Sequence, residues 1–125
     1  LITTADGLAR KAGCFRKNLK SLAQKKINVR IAAPITKENI DVVKELSKFA
    51  EIRNTQRINS RFLIVDNRKI MFMLMSDQEG HSDYDAAIWV ESPYFGNALS
   101  NFFNVVWDKL EDGRKVIGKY KNNNI

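Results

Sequence analysis

The sequence predicts an α/β domain with a mixed β-sheet flanked by helices, and three observations carry that expectation. The chain opens with alternating extended and helical stretches, continues with a hairpin pattern, and closes with a long aromatic-rich helix. Its 125 residues, 44% of them hydrophobic, allow one domain with a core and exclude wholesale disorder.

Leu1 to Thr4 reads as the tail of a strand, so a piece excised from a longer chain is expected. From Asp6 to Lys26, Leu8, Ala12, Phe15, Leu19 and Leu22 recur at spacings of three and four, one apolar helical face with Asp6 as its cap. Asn28 to Ala33 suits a short strand stopped by Pro34. Thr36 then offers an N-cap to a second helix reaching about residue 50, its face drawn from Ile40, Val43, Leu46 and Phe49 or Ala50. The order strand, helix, strand, helix implies parallel strands with helical crossovers.

Glu51 to Thr55 is a weaker strand candidate. Phe62 to Val65 and Lys69 to Met75 form a hairpin around Asp66-Asn67-Arg68, and their near-continuous apolar runs place them inside the sheet. Gln78 to Tyr84 is polar, and Ala86 to Glu91 reads as another buried strand. Ser92 and Pro93 open the last helix as N-cap and first residue. Its expected apolar face is Phe95, Leu99, Phe102, Phe103, Val106 and Leu110. The domain is thus expected over residues 1–112, with 113–125 as a polar C-terminal tail.

Charge and composition bound the function. The first 30 residues hold Arg10, Lys11, Arg16, Lys17, Lys20, Lys25, Lys26 and Arg30 against Asp6 alone, which accounts for the whole net charge of +7. A basic stripe of Arg10, Lys17 and Lys20 is either a solvated face or a source of salt-sensitive affinity for nucleic acid. The single cysteine, Cys14, allows no internal disulfide, fits a cytoplasmic protein and reads as a small buried hydrophobe. No apolar run is long enough to span a membrane. His81 lies among Asp77, Glu79, Asp83 and Asp85, but their spacing matches no cation-binding loop, so a solvated acidic loop and no bound metal or cofactor are expected.

Asn59-Ser60-Arg61-Phe62-Leu63-Ile64-Val65-Asp66 has the spacing of the phospholipase D superfamily motif, His-x-Lys-x4-Asp. Asn59 stands at the histidine position, Arg61 at the lysine and Asp66 at the aspartate, and the element order also resembles one phospholipase D-like half-domain. More narrowly, the chain resembles the C-terminal module of archaeal TrmB-type transcription regulators, in which a winged helix-turn-helix precedes such a module. In active family members the histidine attacks phosphorus and the lysine stabilises the phosphoryl oxygens. An amide nitrogen is neither nucleophilic nor basic, so the resemblance implies an inactive site and no catalytic residue.

Two readings of the motif stand side by side. Arg61 with Asn59 and Asp66 holds a small anionic effector through a guanidinium fork, or Arg61 and Asp66 form a structural pair while Asn59 caps a turn. The resemblance implies a non-catalytic regulatory, effector-sensing or dimerisation domain that reaches DNA through a missing N-terminal helix-turn-helix. The alternatives are a phosphodiesterase or nuclease relic and a nucleic-acid-binding module. Phe103 and Trp107 lie off the stripe centred on Phe95, Leu99, Phe102, Val106 and Leu110, which assigns them to a homodimer interface.

Overall fold

The computed structural model describes residues 1–56, 58, 60–75 and 86–123, and of Lys11 the backbone alone. The elements run α1 (Ala5–Gln24), β1 (Arg30–Ala33), α2 (Ile40–Leu46), β2 (Glu51–Asn54), β3 (Phe62–Val65), β4 (Lys69–Met73), β5 (Ala87–Glu91), α3 (Pro93–Trp107), β6 (Glu111–Asp112) and α4 (Gly113–Asn122). Helices flank a mixed sheet, as expected.

The strands form two three-stranded sheets, β1-β2-β6 and β3-β4-β5, with β1 and β2 parallel and the other pairs antiparallel. Ile2 joins them, bridging parallel to Ala32 of β1 and antiparallel to Phe62 of β3. The Ile2 amide donates to the Phe62 carbonyl at 2.9 Å and the Phe62 amide returns the bond at 3.0 Å. On the other side the Thr3 amide donates to Ala32, and the Ala32 amide to Leu1. The Leu1–Thr3 segment is therefore an interior strand of a continuous sheet ordered β6-β2-β1-Ile2-β3-β4-β5.

Alternation along the strands sorts the core onto two faces. Ile31, Ala33 and Ile52 meet Leu8 and Leu19 of α1, Val43 and Leu46 of α2, and Val116 and Ile117 of α4. Ile2 and Ala32 meet Phe103 and Trp107 of α3 on the opposite face, with Phe62 and Ile64 packed alongside.

Several expectations need correction. The cap of α1 is Thr4, whose hydroxyl accepts from the Gly7 amide at 3.0 Å, two residues before the expected cap Asp6. The second helix is shorter than its pattern, because Asn39 Oδ1 takes the Thr36 amide and holds residues 36–39 as a turn. The segment from Gly113 is a helix and not a tail: the Asp112 carboxylate caps it through the Arg114 amide, and Gly113, Val116 and Ile117 are buried. Cys14 is exposed on the outer side of α1. β5 is an exposed edge strand, since nothing among the described residues covers its outer side.

The inward stripe of α3 is Gly96, Ser100, Phe103 and Trp107, not the one drawn through Phe95 and Phe102. Phe103 and Trp107 are 7% and 3% exposed and stack on each other at 5.5 Å, so they face this chain's own sheet and cannot meet a partner. Two arginines on neighbouring strands fix them there. The Arg30 guanidinium lies 4.9 Å from the Phe103 ring, and that of Arg53 lies 4.6 Å from the Trp107 ring while donating to the Trp107 carbonyl.

Candidate functional site

Strand direction gathers the motif's neighbourhood at one edge of the sheet. The Leu1–Thr3 segment, β1 and β2 all run the same way, so Thr3, Ala33 and Thr55 mark their C-terminal ends. β3 runs antiparallel to Ile2, which returns Arg61 to that edge, and β4 ends there at Met73. This is where open α/β sheets usually place ligands.

Arg61 is only 6% exposed. It pairs across from Thr3, on the α1 face of the sheet, and Gly7 in the first turn of α1 sits above it. A Cβ on Gly7 would come within 2.5 Å of Thr3 Oγ1 and 3.6 Å of Arg61 Cδ, so the helix start presses on the arginine stem. One guanidinium nitrogen, Nη2, donates to the Met75 carbonyl at 2.8 Å, and the Met73 amide donates to the Arg61 carbonyl. The side chain thus ties the starts of α1 and β3 to the chain leaving β4. Nearby, the buried Thr3 and Thr55 hydroxyls find no hydrogen-bond partner among the described residues.

Asp66 does not join this cluster. It occupies the β3–β4 turn at the far end of the strand, exposed, with φ of 53° beside Asn67 at 56°. Four strand residues separate the two, a span of about 16 Å between Cα atoms, and an odd offset points them to opposite faces. Neither a shared three-residue pocket nor a structural Arg61–Asp66 pair is therefore formed. Asn59 lies outside the described residues, as does the 77–85 segment with His81.

The basic stripe is present as expected in one respect: Arg10, Lys17 and Lys20 are exposed on α1. Arg16 turns toward α2 and pairs with Glu45 at 2.9 Å. The Lys48 hydrogen bond holds that carboxyl below its ordinary range, and the Arg16 charge adds to the effect.

At the opposite edge of the sheet a groove of about 940 Å³ carries Lys26, Arg30, Lys48 and Arg114 along its walls, with Glu51 and Asp112. The C-termini of α1 and α2 open into it, so Lys26 and Lys48 lie where helix dipoles favour cations. Lys26 has φ of 59° and closes α1 in a Schellman motif, with bonds from the Lys26 amide to Ala23 and from the Ile27 amide to Leu22. Sequence reasoning missed this groove because its residues come from seven separate elements or connections.

No helix among the described residues is long and apolar enough to cross a membrane. Residues 11–112 match the family described as transcriptional regulator TrmB, EBD N-terminal subdomain. No curated protein matches the sequence. Among solved structures the chain is similar to TrmBL2, an archaeal chromatin protein with a novel mode of DNA binding, at a TM-score of 0.58 and 16% identity. That likeness covers 77% of this chain and 39% of TrmBL2, so the chain spans about two-fifths of its structural relative.

Proposed function

The chain belongs to the TrmB family of transcriptional regulators, as the N-terminal subdomain of their effector-binding domain, and from that premise we propose that it is a non-catalytic, ligand-sensing part of a longer cytoplasmic regulator. The family match over residues 11–112 carries this reading. The motif supports it. Asn59 replaces the nucleophile of the phospholipase D-like pattern, and Arg61, at the charge-stabilising position, donates inside the fold to Met75. DNA is reached through another part of the longer protein, a winged helix-turn-helix. TrmBL2, of which this chain spans 39%, is itself a DNA-binding protein.

The effector in this reading is a small anion, and Arg61 and Asn59 remain its contacts once Asp66 is set aside. Two measurements test the proposal. No hydrolysis of a chromogenic phosphodiester is expected, with or without divalent metal; turnover that disappears in Asn59→Ala would overturn the non-catalytic reading. Thermal shift with phosphate, sulfate and small carboxylates should raise the melting temperature by mass action, and less so in Arg61→Lys. An identical ligand-dependent rise in both proteins removes Arg61 from the site.

The exposure of Arg10, Lys17 and Lys20 favours a second reading, in which α1 adds sequence-independent affinity for duplex DNA. Duplex binding that falls steeply with salt, and with a shallower salt dependence in Lys17→Gln/Lys20→Gln, supports it. Binding indifferent to both changes refutes it.

A further inference from the structure

We propose that the groove at the N-terminal edge of β1 and β2 is a second ligand site, which takes a small phosphorylated molecule and holds its phosphate dianion between Lys26 and Arg114. Its volume of about 940 Å³ lies in the range of small-molecule sites. Pairing within the groove leaves two positive charges over. Of its carboxylates, Glu51 is bound by Arg53 at 3.0 Å, and Asp112 caps α4 by accepting from the Arg114 amide at 2.8 Å. Of its cations, Lys48 pairs with Glu45, while Arg30 donates to Asn104 and lies against the Phe103 and Trp107 rings. The Lys26 ammonium and the Arg114 guanidinium have no ion-pair or hydrogen-bond partner among the described residues. A phosphate monoester carries about −1.5 to −2 charges at neutral pH, which matches that surplus.

The two free cations stand on opposite walls. Lys26 closes α1 on the way into β1, and Arg114 follows β6. β1 and β6 flank β2, so the strands that carry the two walls are about 10 Å apart, two strand spacings. One phosphate group fills a gap of that width when a lysine reaches it from one side and an arginine from the other. The guanidinium offers a planar fork to two phosphate oxygens, and the ammonium adds a point charge. α4 begins beside Arg114, with the end of its dipole that favours an anion. Ile27, Val29 and Phe49 also line the groove, which suits the uncharged body of an organic phosphate.

The backbone at Lys26 sets this groove apart from an ordinary charged surface. Its φ of 59° lies in the left-handed region, at the position of a Schellman motif where glycine is usual. A lysine there costs stability, and residues held at such a cost cluster at ligand sites. The dipole of α1 does not account for it, because Lys25 already places a cation at that helix end. The side chain of Lys26 is exposed and makes no contact that repays the strain within the described residues. A bound anion supplies that contact.

This site is independent of the Arg61 reading, since Arg61 lies at the other edge of the sheet. Amide NMR spectra of the isotope-labelled chain, titrated with inorganic phosphate and with glycerol phosphate at constant ionic strength, should show shifts at Lys26 to Val29 and at Gly113 to Lys115. Shifts at Gly7 and Arg61 report the other site, so each reading can fail without the other. Arg114→Gln should weaken phosphate binding about tenfold, the loss of one charge-assisted contact. Lys26→Gly should weaken it as much while raising the melting temperature of the unliganded chain by about 2–4 °C, so that lost binding is not mistaken for lost folding. Four results overturn the proposal: groove shifts as large with chloride or acetate, none with either phosphate at millimolar concentration, shifts with duplex DNA alone, or unchanged phosphate affinity in both variants.

Discussion

Replacing Gly96 by alanine tests how closely α3 is seated on the β3–β4 hairpin. An ideal Cβ at Gly96 falls 2.2 Å from the Asn67 carbonyl oxygen, 2.5 Å from its carbon and 2.7 Å from Arg68 Cα. Ordinary carbon–oxygen contacts begin at about 3.3 Å, so helix and turn must separate by roughly 1 Å. All three obstructing atoms are backbone, which no rotamer change relieves. Overpacking of this kind costs about 3 kcal/mol at the upper end of its range, while alanine regains about 1 kcal/mol of helix propensity. The expected net loss is about 2 kcal/mol, or a melting temperature lower by about 8 °C in a chain of this length. Gly13 of α1 and Gly118 of α4 provide the contrast, since a Cβ at either meets nothing within 4 Å. Gly13→Ala and Gly118→Ala should each stabilise by about 0.5–1 kcal/mol. Urea unfolding followed by far-UV circular dichroism measures all three on one scale. A Gly96→Ala protein as stable as the other two would refute the seating of the helix on the turn.

Other outcomes follow from the same geometry. Arg61→Met should cost about 1–2 kcal/mol in urea unfolding, because it leaves the half-buried Met75 carbonyl without its charged donor; a neutral result would mean the guanidinium is dispensable to the fold. Lys26→Gly should stabilise by about 0.5–1 kcal/mol, since glycine adopts φ of 59° without the steric cost lysine bears there, and a loss of stability would contradict the Schellman geometry.

Elements with a single strong local signal were legible in the sequence. Asp66 and Asn67 tolerate positive φ, which located the hairpin turn, and Ser92 with Pro93 located the start of α3. α4 was hidden because its buried residues, Val116 and Ile117, are flanked by Arg114, Lys115, Lys119 and Lys121. The orientation of α3 was hidden for the opposite reason. It carries two apolar stripes, and periodicity does not say which one meets the sheet. The apolar run of β5 resembles that of a buried strand, and only its partners reveal an edge. At the site, the motif set Arg61 just before the first hairpin strand but could not show where its guanidinium donates. The separation of Arg61 from Asp66 was legible in principle, since a strand across Phe62–Val65 sends positions five apart to opposite ends and opposite faces.

The threading of Leu1–Thr3 through the middle of the sheet makes those three residues a mechanical coupler. Between Ile2 and β3 run the two hydrogen bonds exchanged with Phe62, and on the other side the segment is bonded to β1. A displacement of the segment along its own axis therefore loads both halves of the molecule at once, with opposite strand polarity on the two sides. Sliding by two residues would keep each side chain on its own face yet change every pairing across the seam. A pull on the backbone at Leu1 in this way loads the half that carries α1, α2 and α4 and the half that carries the β5 edge in the same direction, as shear along the hydrogen bonds on either side of the segment.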